Sequence, residues 1–210
     1  MTVHHGLRAA AGNQSSGGPG TYEYGWSSNS SSSTTTPVPF NVYWRRRRIQ
    51  QIILASDLTA ANIASGVTFT NFTWHQVSAI NSGYSILGFN FKMYHTTASN
   101  GSTLATPISG TSAQTCYSDA TNIEFTLPET SGDRTLTFTN GFTWNGTNNI
   151  CLDTCATQCQ QWYLQSGQMR IVTNVGNGLR HHRSDSSGSS CGETPNYAES
   201  YKYSFKMDYS

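Results

Sequence analysis

From Pro37 onward the apolar residues of this chain come in short runs at every second position, the spacing of half-buried strands rather than of helices. Leu87, Phe89, Phe91 and Met93 alternate with Gly88, Asn90, Lys92 and Tyr94. Ile123, Phe125 and Leu127 repeat the pattern, as do Leu136 and Phe138. The cleanest case closes the chain: Tyr201, Tyr203, Phe205, Met207 and Tyr209 alternate with Lys202, Ser204, Lys206 and Asp208. That spacing predicts a final strand with one buried face and one facing solvent or a partner. Further strands are predicted over Phe40 to Tyr43, Arg48 to Ala55, Val67 to Ile80, Ile150 to Thr154, Trp162 to Leu164 and Met169 to Thr173. Asn100-Gly101 and Asn145-Gly146 mark turns. Ser56-Asp57 supplies an N-cap signal for one short helix through Leu58 to Ile63, stopped by Gly66. Many short strands, turn signals and a single short helix predict an all-β antiparallel sandwich occupying residues 37–210. No repeat of fixed period is present.

Residues 1–36 break the pattern. Gly17-Gly18-Pro19-Gly20 and the Ser/Asn/Thr run over 27–36 carry too little apolar surface to fold alone. Tyr22, Tyr24 and Trp26 interrupt them at strand spacing. The segment therefore predicts a polar N-terminal arm laid across neighbouring subunits, with Tyr22, Tyr24, Trp26 and the nearby Trp44 as apolar anchors.

Composition narrows the classes of function. Charged residues make up 11% of the 210 residues, against roughly 25% in an average soluble domain; Ser, Thr, Asn, Gly and Tyr take their place. A net charge of +1 argues against nucleic acid held by bulk electrostatics. No apolar run approaches the roughly 20 residues that span a bilayer, so membrane insertion is not expected. Met1 to Gly6 lacks the charged start and apolar stretch of a secretory signal, which leaves two expectations: assembly where the chain is made, or excision from a larger exported protein. The one concentrated charge is Arg45-Arg46-Arg47-Arg48. In an extended chain Arg45 and Arg47 point one way and Arg46 and Arg48 the other. The run is read either as a contact for an anionic partner surface or as a solvated stretch.

Candidate chemistry is sparse. Cys151, Cys155 and Cys159 are spaced by three residues, and Cys116 and Cys191 stand apart. Structural zinc sites use tight knuckles with a second matched pair, which is missing here, so a disulfide is the preferred reading and no metal or other cofactor is expected. His4, His5, His75, His181 and His182 read as ordinary polar histidines, the last two in a loop, and His95, which ends a core strand, reads as packed or capping rather than as a ligand. Asp119, Glu124, Glu129, Asp133 and Asp153 include no pair that spacing selects for glycoside hydrolysis. No nucleophile elbow, phosphate loop or zinc-protease helix occurs. Binding is thus expected rather than catalysis. Trp26, Trp44, Trp74, Trp144 and Trp162, with 11 tyrosines, are also compatible with sugar stacking, although large aromatics on alternating faces more often build the core.

Several motifs in order carry a resemblance: Pro39 to Tyr43, Arg48-Ile49-Gln50 leading to Asp57-Leu58, Phe89 to Thr97, and Phe142-Thr143-Trp144-Asn145-Gly146 to Ile150. Together, over about residues 39 to 205, they resemble a jelly-roll-like β-sandwich module of large exported surface proteins of gliding bacteria. The resemblance implies a bridge between Cys155 and Cys191. It also implies adhesion or surface display; similar sandwiches occur in phage capsid decoration and fibre proteins. The arginine run, Cys116, Cys151, Cys159 and the leading arm stand outside the module. The chain is accordingly expected to be a virion structural protein, a phage capsid decoration or tail/fibre component that binds copies of itself or other virion subunits. The rival expectation is a module at the bacterial surface that binds a host glycan.

Overall fold

The computed structural model describes residues 18–26, 44–77, 86–119, 131–156, 158–159, 168–186 and 188–210. The strands predicted over 40–43, 123–127 and 162–164 lie outside these residues, as do residues 1–17 and 27–36 of the predicted arm. Two antiparallel sheets dominate. One has four strands in the order β1 (Gly20–Tyr24), β14 (Phe205–Tyr209), β3 (Thr68–Gln76), β7 (Gly132–Thr143). The other has six, in the order β12 (Tyr197–Glu199), β11 (Leu179–Ser184), β2 (Arg46–Ile53), β8 (Asn149–Ala156), β5 (Asn90–Thr96), β6 (Gln114–Ser118). Two short ribbons pair β10 (Ile171–Thr173) with β13 (Tyr201–Tyr203), and β4 (Ile86–Leu87) with β9 (Gln158–Cys159).

The predicted alternation places the core. Phe69, Phe72, Leu136, Phe138, Phe205 and Met207 project from the four-stranded sheet, and Ile49, Phe91, Met93 and Leu152 from the six-stranded sheet. Phe72 and Phe91 meet with ring centroids 5.0 Å apart, and Phe91 and Phe138 at 5.2 Å, so the two sheets pack face to face as a sandwich. Each such ring, fully buried, contributes roughly 1.5–3 kcal/mol. β8 is buried on both faces. Its outer face, with that of β2, lies beneath residues 98–113, where Ile52, Tyr94, Ala105 and Cys151 form a second, smaller core.

One flank of the sandwich is closed. The register slips between Phe69 and Asn71, with extra β7 residues bulging opposite them. The bulge reaches the other sheet: Gln114 Nε2 donates to the Asn140 and Gly141 carbonyls, and Asn140 Nδ2 donates to Thr115 O at 3.3 Å.

Several expectations are corrected. The helix α1 spans Ala55–Ala60 and is capped at Leu54 without a side-chain bond, so Ser56 and Asp57 lie within its first turn. Asn149, at the start of β8, supplies the missing acceptor, its Oδ1 taking the Ala55 N–H at 2.8 Å. The helix stops before Asn62, whose φ of +58° turns the chain, and Gly66 belongs to the turn after it. The final strand is broken at Ser204, whose N–H donates to Arg170 O at 2.9 Å. The halves join different partners, and Lys202 and Ser204, expected to face outward, are buried. His181 and His182 stand in β11 rather than a loop, and His181 is fully buried. The boundary expected at residue 36 is crossed as well. Residues 20–24 run antiparallel to β14, Gly20 opposite Tyr209 and Tyr24 opposite Phe205, as the edge strand of this chain's own sheet.

Candidate interaction surface

Two groups of aromatic and cationic side chains gather on the flank opposite the β6–β7 closure. The first is built on β1. Its odd and even positions separate as a strand requires, Thr21 and Glu23 outward, Tyr22 and Tyr24 inward. Tyr22, expected to anchor on a neighbouring subunit, is 3% exposed within this chain's core, because its ring fills the space beside Phe205 at 5.9 Å. Tyr24 stacks on Phe205 at 5.5 Å and 14°. Burial, then the nearby Asp57 carboxylate, pushes its hydroxyl up to about 12. The Lys202 ammonium lies 5.3 Å from the Tyr24 ring, its pKa lowered by burial.

Gly25, at φ +58°, then turns the chain where a side chain would be strained. The turn carries Trp26 onto Lys206, whose Nζ is 4.2 Å from the indole centroid, with Arg170 at 5.7 Å. Arg170 Nη1 also donates to the Trp26 carbonyl at 2.6 Å. His75 meets the indole edge-on and holds Asp133 at 2.7 Å. Outside, Thr21 Oγ1 donates to Asp208 Oδ1 at 2.6 Å and Lys206 pairs with Glu23 at 3.2 Å.

The second group sits at the β11–β12 edge. The Arg183 guanidinium lies 4.9 Å from the Trp44 ring and 5.5 Å from Tyr197, which is 48% exposed. His181 stacks on Tyr197 at 5.3 Å and meets Glu199 through Nε2 at 2.9 Å.

The arginine run between these groups is used mainly within the chain. The alternation read from the sequence holds, but the partners are internal. Arg47 is 2% exposed. Arg48 donates from Nε and Nη2 to Asp153 at 2.9 and 2.6 Å, and from Nη1 to the Glu193 carbonyl at 2.7 Å. Arg46 reaches the Glu193 carboxylate at 2.8 Å and the Ser186 hydroxyl. Arg45 is half-buried. A run on an edge strand would be free to meet an anionic partner; β2 is instead central in its sheet, so its cations take the carboxylates within reach.

Those contacts belong to a latch. Residues 185–186 and 188–196 fold over the ends of β2 and β8. Cys191 is bonded to Cys155, Cα to Cα 5.1 Å, as the resemblance implied. The Ser190 hydroxyl, fully buried, lies between the Ala156 carbonyl, 2.7 Å away, and the Arg47 carbonyl, and its single proton is donated to one or the other.

Burial pushes the Cys116 thiol up to about 12 and the Cys151 thiol well above its ordinary range, the reverse of what a nucleophile needs. The Cys159 side chain lies outside the described residues, as do Glu124 and Glu129. Asp153 is taken up by Arg48, and Asp133 by His75. Among the described residues no three His, Cys, Asp or Glu side chains are grouped to hold a metal. A cavity between the sheets, lined by Ile49, Phe72, Trp74, Phe91, Leu152 and Tyr203 among others, measures about 10 Å³ and has room for a single water at most. No helix among the described residues is long and apolar enough to cross a membrane.

Sequence reasoning missed Lys202, Lys206, Arg170, Arg183 and Tyr197. Only the two lysines carried a local signal, as cations four apart on the polar positions of the last segment. Arg170 and Arg183 reach their rings through sheet pairing that spacing does not reveal. Comparison with family models, curated proteins and solved structures finds no match to this chain.

Proposed function

We propose that this chain is a structural subunit of a virion, a phage capsid decoration or tail/fibre component, that works by binding copies of itself or other virion subunits. One observation carries the reading. A short aromatic segment, residues 20–26, forms a sheet edge, with low-complexity sequence on both sides of it. An edge strand offers unpaired backbone donors and acceptors to another chain. The disulfide latch and the sparsely charged surface suit a body that endures outside a reducing cytoplasm. Sedimentation of the purified full chain tests the reading. Association that grows with concentration is expected. A solitary monomer up to about millimolar concentration, the local concentration that a short tether provides, would refute it.

A second reading, a bacterial surface adhesion or carbohydrate-binding module, is favoured by the half-exposed Tyr197 ring beside the Arg183 guanidinium. An aromatic face next to a hydrogen-bond donor is how proteins stack and orient a sugar. Retention of a glycan on an array, lost in Tyr197→Ala, is the expected result on that reading, and an array without hits removes it.

A further inference from the structure

We infer that β1 is an exchangeable strand: in assemblies the segment Gly20 to Trp26 of one copy pairs with β14 of a second copy of this chain. The inference rests on the subunit reading above and names the partner and the groove.

The segment behaves as a peptide seated in a groove rather than as a strand woven into the sheet. β14 is its one strand partner in the sheet order. What fixes it is a set of short-range anchors: the Tyr22 ring in the core, Tyr24 on Phe205, Trp26 under Lys206, and the Arg170 bond to the Trp26 carbonyl. These contacts join residues 24–26 to β14 and to Arg170, just before β10, and Tyr22 packs beside Phe205 of β14. They are reproduced unchanged if the segment comes from another copy.

The covalent path does not dictate which copy supplies it. Between Trp26 and Trp44 lie residues 27–43, which begin with ten Ser, Asn and Thr residues. A connection of that length reaches up to about 60 Å when extended, more than the width of a domain of this size. The groove must be filled in any copy. Without β1, the ring of Phe205 loses its cover from Tyr22 and Tyr24, and β14 presents an unpaired edge.

With identical contacts in both arrangements, concentration decides. A tether of this length, 17 residues, holds the segment at an effective concentration of about millimolar. At micromolar chain concentrations each strand closes on its own body. When copies crowd to millimolar or above, as in a packed shell or fibre, exchange competes.

The test uses full-length chains. Thr21 and Asp208 face each other across β1 and β14. The Thr21→Cys chain and an isotope-labelled Asp208→Cys chain, each unable to form the 21–208 bond alone, are mixed under mild oxidation. The cross-linked peptide pair is then measured by mass spectrometry. Exchange predicts at least tenfold more 21–208 bond in the concentrated mixture than 21–111 bond in Thr21→Cys mixed, at the same concentration, with Thr111→Cys, a cysteine on an exposed loop. It also predicts that the Thr21→Cys/Asp208→Cys double variant closes within one chain when dilute. Glu23→Cys with Lys206→Cys, in the same register, repeats the measurement if Asp208→Cys does not fold. Association of the full chain with no 21–208 bond above the control overturns strand exchange and leaves the subunit reading standing. No association at any concentration overturns both.

Discussion

Replacing Asp153 by asparagine tests the polar connection that ties β2, β5 and β8 to the segment covering them. Asp153 is 2% exposed, and four donors point at its carboxylate: Arg48 Nε and Nη2, Gln50 Nε2 at 3.0 Å and the Tyr94 hydroxyl at 3.2 Å. Asparagine keeps the shape but removes the charge and turns one acceptor into a donor, which must then face another donor. Breaking a buried ion pair by altering one partner costs about 3–5 kcal/mol. Here the Arg48 side chain keeps 22% exposure and its bond to the Glu193 carbonyl, so water and that carbonyl recover part of the loss. We therefore expect about 3 kcal/mol, the low end of that range, measured as the shift in the urea midpoint at constant slope. The double variant Arg48→Met/Asp153→Leu replaces both charges with apolar groups and should cost less than Asp153→Asn alone. A local consequence follows. Gln50 also holds residue 105, its Oε1 accepting the Ala105 N–H at 3.2 Å, so loosening the cluster frees the segment over Cys151. Thiol labelling at Cys151 should then quicken at least tenfold. A cost below about 1 kcal/mol, the scale of an exposed ion pair, or a double variant whose cost is the sum of the two singles, would refute the reasoning.

The Cys155–Cys191 bond spans 36 positions. By loop entropy it contributes about 4 kcal/mol, so reduction or Cys191→Ser should lower Tm by roughly 8–16 °C in a chain of this length; a shift under about 2 °C would mean that Ser190 and the Glu193 contacts hold the latch unaided. Burial depresses the His181 imidazole below its ordinary 6.5 despite Glu199, and His95 and His182 are lowered by burial as well. These rings are held neutral in the folded chain while the unfolded chain takes up protons below about 6.5, so stability is complete above that pH and declines as pH falls. The urea midpoint should fall from pH 7.5 to 5.5, less steeply in His181→Phe; a flat or rising midpoint would contradict the assignment.

Legibility in the sequence followed the strength of the local pattern. The buried faces of β5, β7 and β14 were readable because large apolar residues alternate there, and the two-way split of the arginine run was readable from the same period. β6, β11 and β12 were not. Gln114 to Ser118 and Leu179 to Ser184 are polar strands, and β11 is held by a central neighbour, β2, whose register no local feature announces. The break at Ser204 was hidden because alternation continues through it, although Tyr203 and Phe205 serve different ribbons. The α1 cap was illegible because its acceptor, Asn149, lies 94 positions away. The spacing of the cysteines left the bridge open; the order of distant motifs pointed to Cys155 and Cys191. Of the interaction surface, the aromatics of residues 22–26 were legible, but not that Tyr22 turns inward, which depends on β14 being there to receive it.

The two flanks of the sandwich are finished differently, and that asymmetry bears on the proposed role. On one flank the β7 bulge and Gln114 join the sheets through side chain to backbone bonds, which uses up groups a partner would need. On the other, the four-stranded sheet ends at β1 and the six-stranded sheet at β12. Gln51 spans this side by bonding both the N–H and the carbonyl of Tyr203, at 2.7 and 3.1 Å, which ties the six-stranded sheet to the β10–β13 ribbon just before β14. Neither bond involves the edge strands β1 and β12. Both aromatic–cation groups lie along them. A face that is structurally finished yet lined with sheet edges, indole and tyrosine rings and guanidinium groups is suited to recurrent contact between copies, and the opposite flank is suited to solvent. On the proposed reading, contacts between subunits should concentrate on the β1–β12 flank, and substitutions along β6 and the β7 bulge should change stability without changing assembly.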